Sequence, residues 1–356
     1  MSAEAGRAER ARALRRRRAA AMVGGVALVT AVVYGVARLG DAAGGPAEGA
    51  DDSAPARPAE LLVLQVTGTP DPLLALVGTR TGDRPPAFFT VPFDLTTTIP
   101  GQGEATLAEL VDLDDQTMRV AVSNTFGVWA TRFAVLDIDG LTSVIDRSGG
   151  LRVQVPAPVT TDAGELGSGA ANLSGEEVAA LLRARGGNGE ARWTAVVQGI
   201  LREPVKLEGG DLVASSGQEG VRRSLHEARG AGLALFPTAS IGASILVPLQ
   251  PDLDRAVART FGWDIPVPVI VENGVGAPGL GEDVAAVLLP EGFRVVVSQN
   301  AQPFGLARTK VVANGGGALA DAERIRTALG VGRVGVSRVP SGIGDITIIV
   351  GEDFTG

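Results

Sequence analysis

The sequence predicts an α/β protein: an N-terminal transmembrane helix, then a layered α/β domain, then a small βαβ-type domain. Three observations predict it. A charge-free stretch at residues 19–37 is long enough to span a bilayer. From Leu61 onward, short apolar runs bounded by Gly, Pro or Asp alternate with amphipathic helical stretches, the pattern of a layered domain. The alternation then restarts at Pro266 and closes in a unit of about ninety residues, enough for a small independent domain.

The first eighteen residues carry arginine at 7, 10, 12, 15, 16, 17 and 18 against only Glu4 and Glu9. The charge-free stretch from Ala19 to Ala37 lies between Arg18 and Arg38. As a helix it would be roughly 28 Å long, close to the hydrocarbon thickness of a bilayer. Backbone polar groups cannot go unpaired in lipid, so a helix is the state to expect. The arginine excess precedes the apolar stretch, which puts the N-terminus in the cytoplasm and the rest of the chain outside. A cleaved signal peptide would have a shorter apolar core and a small-residue exit, and Gly40-Asp41-Ala42-Ala43 is a weak cleavage site. The expected parts are a basic cytoplasmic tail (1–18), a transmembrane helix (19–38) and a linker (39–58) of Gly, Ala, Asp, Ser and Pro that cannot bury a core.

After the tail, 25 Lys and Arg face 38 Asp and Glu, a balance of −13. Such a surface is poorly suited to coating a polyphosphate, and no nucleic-acid partner is expected. The chain has no cysteine and one histidine, His226, so disulfides, thiolate metal sites and histidine clusters are excluded. His226 lies among Arg222, Arg223, Glu227 and Arg229 and reads as a solvated side chain.

The layered domain is expected over residues 59–205. Strands are read at Leu61–Leu64, Leu73–Val77 and Phe88–Val91, followed by a helical stretch over Thr106–Phe126. A strand at Phe133–Leu136, a short helix near Leu141–Asp146 and a strand at Leu151–Val155 come next. Ser174-Gly-Glu-Glu177 is a capping box that opens a helix with Val178, Leu181 and Leu182 on one face; Gly186-Gly187 ends it. Another helix runs through Trp193, Val197 and Leu201. Residues 206–263 read as a helical extension with a Pro-rich exit. In the second domain, 264–356, strands are expected at Val267–Val271, Phe293–Ser298 and Asp345–Val350, with helices at Leu280–Leu289 and Ala318–Leu329.

Gly274-Val-Gly-Ala-Pro-Gly279 matches G-x-G-x-x-G after a strand and before a helix. A dinucleotide site also needs an acid about twenty residues on, at the end of the second strand. Ser298-Gln299-Asn300-Ala301 offers none there. The segment is read as a glycine turn that lets strand and helix pack closely.

Arg183-Ala-Arg185, with Arg192 beyond a glycine turn, is a different kind of grouping. A planar guanidinium binds phosphate oxygens in a bidentate fork, and phosphoryl transfer needs chiefly such positive charge. Arginines at a helix C-terminus also oppose the macrodipole, so the grouping alone has a structural explanation.

The order of segments around these arginines resembles the LytR-CpsA-Psr family. Val91-Pro-Phe-Asp94 is similar to the family's Ile-Pro-Arg-Asp strand end. Thr125-Phe-Gly-Val128, Phe133–Asp137, Gly140-Leu141 and Val144–Val153 follow its middle section, and Leu166–Arg185 resembles the approach to its Arg-x-Arg pair, with Gln198 near its trailing Gln. Val271–Gly274, Gly279-Leu280, Gly292-Phe293, Asn300-Ala301 and Asp345–Phe354 separately resemble the LytR C-terminal module.

The resemblance implies a membrane-anchored cell-envelope protein that transfers a glycopolymer from polyprenyl pyrophosphate to peptidoglycan. It implies that Arg183, Arg185 and Arg192 bind the pyrophosphate, that Asp94 joins them in catalysis, and that Asp71 holds Mg²⁺. The sequence departs from the family where charge is needed. Phe93 replaces an arginine, Leu64-Gln-Val-Thr67 lacks the first metal-binding acid, and Thr69-Pro70 replaces an Arg-Ser pair. The acid between the arginines is at best Glu190. Charge stabilisation is often the largest catalytic contribution. Weak or lost transfer is therefore expected, the alternative being a non-catalytic scaffold that binds a lipid carrier, peptidoglycan or an active relative.

Overall fold

The computed structural model describes residues 58–110, 114–162, 164–185, 188–203, 206, 213–214, 217–241, 245–339 and 341–356. The expected tail, transmembrane helix and all but the last residue of the linker lie outside these. Among the described residues, no helix is long and apolar enough to cross a membrane.

In chain order the first domain comprises β1 (Leu61–Thr67), β2 (Leu73–Gly78), β3 (Ala87–Val91), the hairpin β4 (Thr96–Ile99) and β5 (Gly103–Thr106), and α1 (Asp115–Phe126). Next come β6 (Arg132–Asp137), α2 (Ile138–Ser148), β7 (Leu151–Val155), the hairpin β8 (Val159–Thr161) and β9 (Gly164–Leu166), and β10 (Gly169–Leu173). Then follow α3 (Gly175–Arg183), α4 (Gly189–Arg202), β11 (Val213–Ala214), α5 (Gln218–Glu227), β12 (Gly232–Leu233), β13 (Thr238–Ile241), β14 (Ile245–Pro248) and α6 (Gln250–Phe261).

Six strands form one sheet in the order β11-β6-β1-β2-β3-β12. β1 is parallel to β6 and antiparallel to β2. Both faces are covered, which is why β1 is a continuous apolar run rather than an alternating one. Leu62, Leu64 and Val66 pack with α2, α3, α4 and α5 on one face. Leu61 and Val63 pack with α1 and α6 on the other. Burying each such leucine or valine contributes about 1.5–3 kcal/mol of transfer free energy.

Two expectations need correction. The helical stretch read over 106–126 is broken: a 3-10 turn at Leu107–Leu110 precedes α1. The Asp114 carboxylate accepts from the Thr117 N–H at 3.0 Å and so starts the helix afresh. Residues 206–263 are not a helical extension. They supply β11 and β12, one at each edge of the sheet, the β13–β14 hairpin, and two helices that complete the two cores. Their strands are two to four residues long, too short to show a period of two.

The second domain comprises β15 (Val267–Asn273), α7 (Leu280–Leu288), β16 (Phe293–Asn300), β17 (Lys310–Ala313), α8 (Leu319–Leu329), β18 (Arg333–Val336) and β19 (Ile346–Val350). Its sheet runs β16-β15-β19-β17-β18, with α7 and α8 packed on its buried side. The glycine segment after β15 is a turn whose Val275 and Gly276 N–H groups are both accepted by the Asn273 side chain.

The two domains share a buried contact. Val120 of α1 belongs to the core of the second domain. The Asn124 carboxamide accepts from the Val295 N–H at 2.9 Å and donates to the Val295 carbonyl at 2.8 Å, extending β16 as a strand would. The chains approach so closely that a Cβ on Gly281 would come within 2.5 Å of the Gly101 nitrogen.

Candidate active site

The register of the first sheet gathers its candidate residues at one end. Val66 of β1 pairs with Leu73 of β2, Thr67 with Asp137 of β6, and Leu74 with Val91 of β3. The β1–β2 turn carrying Asp71, the exit of β3 carrying Phe93 and Asp94, and the exit of β6 therefore lie at the same end. Asp71 is exposed there, and its own carbonyl accepts from the Thr69 hydroxyl.

Side chains of β3 divide between the two layers. Phe88 packs with α4 and its neighbours, and the Thr90 hydroxyl is 2.9 Å from that of Thr194 on α4. Phe89, Val91 and Phe93 pack in the opposite layer with α1 and α6. Phe93 thus stands in the core facing away from α4. Asp94 returns to the α4 side, where its charge reaches Glu190. Burial, and then that charge, push the Glu190 carboxyl above its ordinary value.

The second half of the site is the turn from α3 into α4. The Ser174 capping box forms as expected, with the Ser174 N–H donating to Glu177 at 2.7 Å. The helix ends at Arg183. Trp193 fixes the start of α4: it is fully buried, and its indole N–H donates to the Leu74 carbonyl at 2.9 Å. Arg192, only 6% exposed, donates to the Ala184 carbonyl, joining the end of α3 to the first turn of α4. Burial lowers its pKa from the ordinary arginine value.

Arg185 and Arg192 line one pocket of about 300 Å³, together with Asn188 and the Pro156–Thr160 segment, which leaves β7 and enters β8. The two arginines make the lining cationic; the rest of it includes Pro156, Ala157, Pro158, Val159 and Thr160, whose prolines have no N–H to donate. Arg183 is not in this lining. It reaches the Asp139 carboxylate at 3.4 Å, in an exposed pair of the kind that contributes little to stability. Of the residues expected from the sequence, two arginines share a pocket and two acids share a charge field, while Arg183 is engaged elsewhere. Asn188 and the Pro156–Thr160 wall were not anticipated. The Asn188-Gly189 dipeptide after two glycines is the signal that marks the turn.

Residues 76–193 match the model of the LytR_cpsA_psr family, and residues 266–354 match the LytR_C model, described as LytR cell envelope-related transcriptional attenuator. A LytR-Csp2A-Psr enzyme from Actinomyces oris is similar at 21% identity, covering 60% of this chain and 93% of its own, with a TM-score of 0.45. TagV of B. subtilis is similar at 15% identity over 57% of this chain and 96% of its own, with a TM-score of 0.47. TagT bound to LI-WTA is similar at 14% identity over 60% and 94%, with a TM-score of 0.47. No curated protein matches the chain. The two matches fall on the two domains in order, so the chain carries a region matching the LytR_cpsA_psr family and, after it, one matching the LytR C-terminal module.

Proposed function

We propose that the protein is a membrane-anchored, extracytoplasmic member of the cell envelope. In this reading it binds the pyrophosphate of a polyprenyl-linked glycopolymer and transfers the glycopolymer to peptidoglycan only weakly. Residues 19–38 would be the single span, with the N-terminus in the cytoplasm, and residues 39–58 the tether. The observation that carries the reading is the convergence of Arg185 and Arg192 on one pocket. Two guanidinium groups in a pocket also lined by Pro156, Ala157, Pro158 and Val159 suit an anionic headgroup with an apolar continuation. About 300 Å³ is at the lower end of small-molecule sites, a fit for a headgroup rather than a whole lipid.

In the reaction, a peptidoglycan hydroxyl would attack the phosphorus that bears the glycan. The new oxygen–phosphorus bond replaces the bridging one, and polyprenyl phosphate leaves. Arg185 and Arg192 would hold the charge that moves onto the leaving oxygen. Asp94, or the Glu190 carboxyl beside it, would take the proton of the acceptor hydroxyl.

Among the described residues, no three His, Cys, Asp or Glu side chains gather to hold a metal. Mg²⁺ commonly takes one or two carboxylates and completes its shell with water and substrate phosphates, an arrangement that Asp71 fits. When bound, the ion would neutralise phosphate charge.

One observation favours the scaffold as a second reading. Arg183 is directed to Asp139, leaving two cations in the pocket where the family resemblance implies three. The protein would then hold a lipid carrier, peptidoglycan or an active relative without turnover. Purified full-length protein, supplied with a labelled polyprenyl-pyrophosphate-linked glycopolymer and peptidoglycan, separates the readings. Transfer that falls at least about ten-fold in Arg185→Ala supports the enzyme. Binding without transfer supports the scaffold. Transfer indifferent to Arg185 and Arg192 substitutions rejects this pocket as the site.

A further inference from the structure

We infer that Asn188 is a ligand-binding residue of the pocket, one whose carboxamide contacts the phosphate oxygens directly. The inference rests on the pyrophosphate reading above and adds to it a residue that neither the sequence motif nor the family resemblance assigns.

Three observations carry it. First, Asn188 has φ 77° and ψ 15°, the left-handed region. Among the described residues it is the only non-glycine with positive φ; every other such position is glycine. An L-residue in this region is strained, asparagine less than most, whereas glycine adopts it freely. A turn needing only the backbone geometry would be served by glycine, as at the other positive-φ positions such as Gly127 and Gly149. Retaining a side chain here points to a use for it.

Second, the side chain does not serve the helix. Asn188 is the N-cap of α4, yet it makes no side-chain capping bond. Its backbone carbonyl alone is engaged, accepting from the Arg192 N–H at 2.9 Å. Asparagine is among the best N-caps because its side chain normally accepts from the first turn. Here the left-handed backbone directs the carboxamide away from that task.

Third, the residue lines the same pocket as Arg185 and Arg192, between them in sequence, together with Pro156 and Pro158, which lack N–H donors. A carboxamide in this place offers two N–H donors to an anion and adds no charge. It would select a phosphate by hydrogen bonding, while Arg185 and Arg192 supply the attraction. A carboxylate at the same position would oppose both.

The test titrates inorganic pyrophosphate into full-length protein and measures the melting temperature of each variant alongside. Asn188→Gly keeps the backbone conformation and removes the carboxamide. We expect an unchanged or higher melting temperature and affinity weakened about ten-fold, the size of one hydrogen bond to a charged group. Asn188→Asp keeps the shape and the tolerance of positive φ. It should weaken binding further, with recovery as the pH falls and the carboxylate protonates. Arg185→Ala is the control for the pocket itself. If Arg185→Ala loses binding while both Asn188 variants bind as the unaltered protein does, the inference is overturned and the pyrophosphate reading stands. If the unaltered protein does not bind, or binds regardless of Arg185, both are overturned.

Discussion

Arg294 on β16 and Asp254 on α6 form a doubly hydrogen-bonded ion pair between the two domains, at 2.5 and 2.9 Å, with side chains 4% and 7% exposed. Such a pair gives little net stability compared with apolar packing, but losing one partner strands a buried charge. Asp254→Ala should therefore cost about 3–5 kcal/mol. A double substitution to apolar residues of similar size should cost much less. Thermal unfolding of the three proteins checks this, and a single variant as stable as its parent would contradict it.

The Asn124 carboxamide makes three hydrogen bonds, two to Val295 and one to the Thr98 carbonyl. Asn124→Leu preserves size and leaves these backbone groups unpaired. A loss of about 1–3 kcal/mol is expected. Amide exchange at Val295 should accelerate selectively, because its N–H loses its acceptor. Unchanged protection there would show that the clamp is not what holds β16 to α1.

Glu282 on α7 reaches across the same interface to accept from the Thr117 hydroxyl at 2.8 Å. Burial raises its pKa above the ordinary 4.5, and the charges of Asp114 and Asp283 raise it further; hydrogen bonds from Thr117 and Gln102 oppose the shift. A carboxyl with a raised folded pKa binds its proton more tightly in the folded state. Its contribution to stability is thus lost as pH rises from the unfolded value through the folded one. Glu282→Gln keeps the acceptor for Thr117 and removes the charge. It should stabilise the protein at pH 7 and have a smaller effect at pH 4. A melting-temperature difference equal at both pH values would refute the assignment.

Phe93 stands where the family resemblance implies an arginine, and its side chain packs in the layer opposite α4. Phe93→Arg should therefore not restore activity. It should destabilise by several kcal/mol, since an unpaired charge would enter an apolar layer. A stable Phe93→Arg protein with raised transfer would overturn this placement.

The sequence made the central strands legible because β1, β2 and β3 are buried on both faces and appear as unbroken apolar runs. The capping box at Ser174 was legible for a local reason, since its two hydrogen bonds lie within four residues. Residues 206–263 were not, because Gly232-Leu233 becomes a strand only by pairing with Ala87 and Phe88, far away in sequence. β17 and β18 were missed for the same reason: each has four residues and is fixed by its partners. In the site, residue identity was readable and direction was not. Arg183 and Arg185 stand two apart on one chain, yet one meets Asp139 and the other the pocket.

That divergence provides the most direct test of the account. Binding of polyprenyl pyrophosphate in lipid nanodiscs to full-length protein, compared across Arg185→Ala and Arg183→Ala, puts the pocket itself in question. Arg185→Ala should weaken binding at least about ten-fold, while Arg183→Ala should change it less than about three-fold. Equal losses in the two variants, or a greater loss from Arg183→Ala, would contradict it.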